Sequence, residues 1–264
     1  MSLTDQDFEI GAFVPGAETL SEIWEETAAA YRAREVAIGR ARLNVPYGDG
    51  ARQALDLFHP SGKAGGLIVF VHGGYWHKFD RTFWSHYASG LTERGWAVAM
   101  PSYTLAPEAR IRDMTREIAR AIETAAEHIP GPIRITGHSA GGHLSARMAS
   151  RDVALKDGLR ARIERVVPIS PLADLRPLFN IAKNDILHLD MAEAEVESPL
   201  LLAAPDVPVS VWVGSEERPV FLDQAAALAS AWNARHRIDP GRNHFDILDG
   251  LLDTDSPLIE DLLS

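Results

Sequence analysis

Short apolar runs recur along the chain at residues 67–71, 96–100, 133–136, 166–169 and 209–213, the pattern of strands buried on both faces of a sheet. Between them lie stretches with apolar residues every three or four positions, predicting helices over residues 83–94, 111–128, 140–150 and 221–234, with a last short one at 258–263. Such alternation predicts parallel strands joined by helical crossovers, an α/β fold. The beginning of the chain differs. Leu20, Ile23, Trp24, Ala28 and Tyr31 fall at helical spacing and predict an amphipathic helix over 20–34. Residues 41–45 and 52–58 alternate apolar with polar around Tyr47-Gly48-Asp49-Gly50 and read as a half-exposed antiparallel hairpin. Residues 171–202 break the alternation: too long for a simple crossover, rich in charge and in scattered apolar side chains, they are assigned as a cap over a pocket.

Composition narrows the chemistry. None of the 264 residues is cysteine, so a disulfide scaffold, thiolate-bound metal and a thiol nucleophile are excluded, and covalent catalysis falls to Ser, Thr, Lys or a carboxylate. The net charge of −11 argues against a nucleic-acid partner, which would need clustered cations. The longest central apolar run, 67–71, is far short of the about 20 residues that span a bilayer, and the polar, acidic N-terminus lacks the basic and apolar regions of an export signal. A cytoplasmic protein with no membrane partner is expected. The length suits a single α/β domain over 1–264, the helix at 20–34 and the cap at 171–202 being its additions.

One motif carries the chemistry. Gly137-His138-Ser139-Ala140-Gly141 follows a predicted buried strand and opens a predicted helix. A serine in so tight a strand-to-helix turn has an exposed hydroxyl, and glycines two residues before and after let strand and helix pass closely. The helix start aims unpaired N–H groups at the same point. A second strand ends in His72-Gly73-Gly74-Tyr75-Trp76, where two glycines free the backbone to turn amides outward. Gly74, Tyr75 and Ala140 are the candidate oxyanion donors, with His72 an anchor of the loop. In G-x-S-x-G hydrolases the partners follow in the order Ser, Asp or Glu, His. Only His188, His236 and His244 follow at sufficient distance. His188 lies in the cap and His236 begins a strand, leaving His244 in a loop after the last strand as the base. The acid belongs after the strand at 209–213, where Glu217, two residues before Pro219, is preferred to Glu216, and Asp223 comes behind both.

These segments resemble the kynurenine formamidase (arylformamidase) branch of the α/β-hydrolase superfamily, related to esterases of the hormone-sensitive-lipase type. The resemblance rests on His72-Gly73-Gly74-Tyr75-Trp76, Tyr103-Thr104-Leu105-Ala106-Pro107-Glu108, the elbow continued through Gly142-His143, the cap residues Ser170, Asp174 to Leu178, Asn184-Asp185 and Ser198-Pro199-Leu200, and His244-Phe245-Asp246. It implies a mostly parallel eight-stranded sheet with helices on both faces and a small cap. It implies a serine hydrolase acting without cofactor or metal on a small aryl-formamide or carboxylic ester. A general carboxylesterase or thioesterase is the alternative, and a hydrolase-fold binding protein without turnover is a third. The family's acid is commonly Asp, where this chain has Glu217. Trp76 beside the oxyanion loop either lines the substrate pocket or packs under the cap, and Phe179, Ile181 and His188 from the cap are expected to line the pocket. A homodimer is left open.

Overall fold

A computed structural model describes residues 3–264. Eight strands form one sheet in the order β1-β2-β4-β3-β5-β6-β7-β8: β1 (Ala41–Pro46), β2 (Ala54–Phe58), β3 (Leu67–Val71), β4 (Ala97–Pro101), β5 (Ile133–His138), β6 (Ile163–Ile169), β7 (Ser210–Gly214) and β8 (Arg235–Asp239). β1 and β2 pair antiparallel, as do β2 and β4, and all other neighbours are parallel. The strand positions match the apolar runs. The hairpin is less exposed than its alternation suggests, because β2 lies inside the sheet between β1 and β4 and is buried over Leu55 to Phe58.

Side-chain alternation divides the core into two layers. Leu67, Val69 and Val71 of β3 face one layer with helices α3 (Ile111–His128), α4 (Ala140–Ala149) and α7 (Pro219–Ala231), while Ile68 and Phe70 face the other with α1 (Ala17–Ala37), α2 (Ser89–Glu93) and α8 (Pro257–Leu263). On α3 the buried Ile111, Met114, Ile118, Ile122 and Ala125 recur at three or four residues, which is why that segment is helical and why it lies flat on the sheet. The helix expected at 83–94 is instead two 3-10 turns followed by the five-residue α2. Its apolar residues are still spent inward: Trp84, Tyr87 and Leu91 pack with Trp24 of α1 and with the α8 side chains.

Residues 171–202 contain two short helices, α5 (Asn184–Leu187) and α6 (Met191–Glu197), and 3-10 turns at Arg176–Asn180 and Pro199–Leu201. The segment is knitted to the body. Leu172, Leu175, Leu178 and Leu187 enter the main core layer, and the buried Glu197 carboxylate accepts from Thr115 Oγ1 at 2.7 Å and from Arg147 Nε at 3.0 Å. Among the described residues no helix is long and apolar enough to cross a membrane.

Candidate active site

The elbow follows from steric demands at three residues. Ser139 has φ 56° and ψ −117°, a backbone conformation that L-residues adopt only under constraint. Its N–H donates to the Ile169 carbonyl of β6 at 2.9 Å and its carbonyl accepts from His143 N–H at 2.9 Å, so strand and helix hold the serine from both sides. A Cβ on Gly137 would lie 2.4 Å from the Gly141 carbonyl oxygen, and one on Gly141 would lie 2.0 Å from that of Val71. Only hydrogen fits at either position, which is the physical content of the motif.

The loop after β3 is constrained as tightly. Gly74 (φ 117°), Tyr75 (φ 48°) and Trp76 (φ 57°) all lie in left-handed backbone regions. Among the described residues no acceptor takes the N–H of Gly74, Tyr75 or Ala140, which leaves three donors free. Several contacts hold the loop in shape. Tyr75 Oη donates to the Phe8 carbonyl at 2.6 Å, Ala106 N–H donates to the Trp76 carbonyl at 2.8 Å, and Tyr103 Oη donates to the His72 carbonyl at 3.1 Å. The His72 ring stacks on Tyr103 at 4.4 Å, and its Nδ1 lies 2.8 Å from the Gly73 carbonyl, so Nδ1 carries the proton. Burial pushes His72 down to about 4, which keeps it neutral. The Tyr103 to Glu108 motif is therefore a brace for the glycine loop.

His244 Nδ1 lies 2.6 Å from Glu217 Oε2, with both side chains essentially inaccessible. The other carboxylate oxygen, Oε1, accepts from Ser170 Oγ at 2.5 Å and from Gly214 N–H at 2.9 Å. Glu217 thus receives three donors, an arrangement that fixes its orientation. Nδ1 must carry a proton to donate, which leaves the Nε2 lone pair of a neutral His244 available as a base. Glu216 is exposed and Asp223 is exposed on α7, so neither reaches the imidazole. A second histidine steadies this one: His138 Nε2 donates to the His244 carbonyl at 2.7 Å, and the two rings are 4.6 Å apart. Burial, then the neighbouring His244, holds His138 well below the ordinary histidine range.

Ser139 and His244 open into one cavity of about 510 Å³, within the usual size for a small-molecule site. Gly74, Tyr75 and His138 line it from the loops, and Trp24, Phe79, Trp84 and Phe245 give it aromatic walls. Residues 171–202 contribute Ala182, Lys183 and Ile186. Four expected lining residues lie elsewhere. Trp76 is fully buried and packs edge-on to His143 at 5.2 Å, because its left-handed backbone turns the indole under the loop rather than over it. Ile181 is drawn into the main core layer, whereas Phe179 and His188 are exposed and do not line the cavity. A wall that the sequence does not announce comes from the first residues described: Glu9, Ile10, Gly11, Ala17 and Ser21. A larger charged groove, lined among others by Arg112, Glu117, Arg147 and Glu193, contains none of the expected site residues.

Strand order, elbow and loop together define a hydrolase fold, and the chain belongs to the alpha/beta hydrolase fold family, which its residues 68–237 match. The chain is 47% identical to a suggested thioesterase from a Silicibacter species, whose crystal structure superposes with a TM-score of 0.96 over 100% of both chains. It is also similar to the kynurenine formamidase of Salmo salar, 29% identical over 88% of this chain and 83% of that protein. The kynurenine formamidase of Danio rerio is 28% identical over the same shares.

Proposed function

We infer that the protein is a serine hydrolase that cleaves a small aryl-formamide or carboxylic ester through an acyl-enzyme on Ser139. The observation that carries this reading is the 2.6 Å contact of Glu217 with Nδ1 of His244, a histidine that lines the same cavity as the strained Ser139. Ser139 Oγ attacks the substrate carbonyl while His244 Nε2 takes its proton. Glu217 holds the tautomer and stabilises the imidazolium. The N–H groups of Gly74, Tyr75 and Ala140 receive the developing oxyanion, a contribution worth about 10²–10³ in turnover per donor in comparable sites. Collapse of the tetrahedral intermediate returns the proton from His244 to the leaving amine or alcohol. Water then repeats the sequence on the acyl-enzyme.

The aromatic walls and the similarity to kynurenine formamidases support an aryl-formamide. A thioesterase or carboxylesterase is the second reading, favoured by the 47% identity to the suggested thioesterase. Comparing kcat/KM on N-formylkynurenine, short p-nitrophenyl esters and an acyl thioester separates these. A fast ester or thioester rate beside a negligible formamide rate rejects the formamidase. A fluorophosphonate tests the class itself: wild type should be labelled and Ser139→Ala should not, and an unlabelled wild type would leave a binding protein without turnover.

A further inference from the structure

The cavity carries charge that the proposed chemistry does not use. Its lining has two lysines, Lys78 and Lys183, against a single carboxylate, Glu9, on a chain whose net charge is −11. Lys183 is the more enclosed member of its ion pair. Its side chain is 20% exposed against 53% for Glu9, whose carboxylate lies 3.7 Å away. An ion pair with so exposed a partner is weak and exchanges readily. The ammonium also lies 4.8 Å from the centre of the Tyr75 ring, on the residue whose N–H is a candidate oxyanion donor. The backbone that presents it is fixed: Asp5 Oδ1 accepts from Ala182 N–H at 2.7 Å, and Asn184 bonds the Leu189 N–H and carbonyl at 2.7 and 3.0 Å. His77 and His138 on the same lining stay neutral, both pushed down by burial.

We propose that Lys183 is a specificity-determining residue that selects acyl substrates bearing an anionic group, such as a carboxylate on an aromatic ring, over neutral ones. The catalytic part of this rests on the serine-hydrolase reading above. A substrate whose carbonyl sits at Ser139 and whose ring lies against the aromatic walls would bring its carboxylate toward Lys183, with Glu9 released to water. A roughly spherical space of this volume is about 10 Å across, the length of a substituted phenyl ester. A charge-assisted hydrogen bond of this kind corresponds to a preference of about 10- to 100-fold.

The test compares kcat/KM on 4-carboxyphenyl acetate, phenyl acetate and 4-(trimethylammonio)phenyl acetate, each divided by its rate of hydroxide hydrolysis. Wild type should favour the anionic ester by about 10- to 100-fold, and less in 0.5 M NaCl. The ratio of anionic to neutral should approach one in Lys183→Met, fall below one in Lys183→Glu and persist in Lys183→Arg. A ratio unmoved by Lys183→Met, or one that falls with Lys78→Met instead, overturns the proposal, as does a wild type that favours the neutral or cationic ester. Calorimetric binding of 4-acetamidobenzoate and of acetanilide to Ser139→Ala protein judges the same preference without turnover. Tighter binding of the benzoate, lost when Lys183→Met is added, supports the role of Lys183, and equal binding rejects it. Failure of the fluorophosphonate to label wild type would instead reject the hydrolase reading and leave this binding result to stand by itself.

Discussion

Replacing Glu217 by Gln changes one atom and reverses one hydrogen bond. The carboxylate accepts from Ser170 Oγ and Gly214 N–H on one oxygen and from His244 Nδ1 on the other. Gly214 N–H is a fixed donor, so the amide oxygen of Gln must stay on that side and the NH2 group must face His244. Nδ1 would then have to accept, which moves the imidazole proton to Nε2 and removes the lone pair proposed to deprotonate Ser139. A wrong tautomer of this kind lowers turnover by about 10⁴ in the serine-protease triad, or about 5 kcal/mol of transition-state stabilisation at 1.36 kcal/mol per decade. The expected outcome for Glu217→Gln is a kcat loss of about 10³–10⁴ with KM little moved, since the side chain touches no substrate. Glu216→Gln, altering an exposed side chain, should stay within about threefold of wild type. The assay is release of p-nitrophenol, normalised to folded protein by circular dichroism. A loss below tenfold in Glu217→Gln, or equal losses in the two variants, would refute the assignment of the acid.

Other outcomes follow from the geometry. Tyr75→Phe removes the donor to the Phe8 carbonyl and frees a left-handed residue of the oxyanion loop; kcat should fall about tenfold with a smaller change in KM, checked by steady-state kinetics. Gly141→Ala forces a methyl group against the Val71 and His72 carbonyl oxygens and should cost about 3 kcal/mol, a fall in Tm of roughly 10 °C by calorimetry. Acid should unfold the protein through its buried histidines. His72 and His143 are held at about 4 against 6.5 in the unfolded chain, so the unfolded state takes up protons first as pH falls from 6.5 toward 4. Stability is full above 6.5 and drops by roughly 3 kcal/mol per histidine by pH 4. Urea midpoints at pH 7.5, 6.5 and 5.5 measure this slope, and His143→Gln, which keeps a donor for the Glu197 carbonyl, should flatten it.

What the sequence revealed of this molecule was local or ordered along the chain. The elbow reads directly because Gly137, Ser139 and Gly141 meet constraints set by a strand and a helix that are their own neighbours. His244 and Glu217 follow from chain order, since parallel crossovers place successive strand ends side by side. The division between Glu216 and Glu217 turns on which side chain points inward, and proximity to Pro219 hints at it without determining it. The pocket lining was not legible. Whether Trp76 faces the cavity depends on left-handed φ values at residues that are not glycine, which no composition signals. Lys183 and Glu9 lie 174 positions apart in the chain, and the charge of each is unremarkable in its own segment. Ser170 stood out only through family resemblance, and its bond to Glu217 spans 47 positions.

Residues near the start of the chain close a site whose other parts are dispersed to its end. Asp5 binds Ala182 across 177 positions, the Gln6 carbonyl accepts from Arg218 across 212, and Phe8 takes the hydroxyl of Tyr75. In synthesis the segment that walls the cavity precedes all of these partners, and its contacts are complete only once Tyr75, Ala182 and finally Arg218 have been made. A chain that stops short of Arg218 offers Tyr75 and Ala182 to the segment but lacks Arg218 and the His244 and Phe245 wall of the pocket. The completed cavity is in this sense a record that synthesis has passed the loop bearing Glu217, and a nascent chain arrested before that loop should hold residues 5–21 less firmly docked, and more open to proteolysis, than the finished fold does.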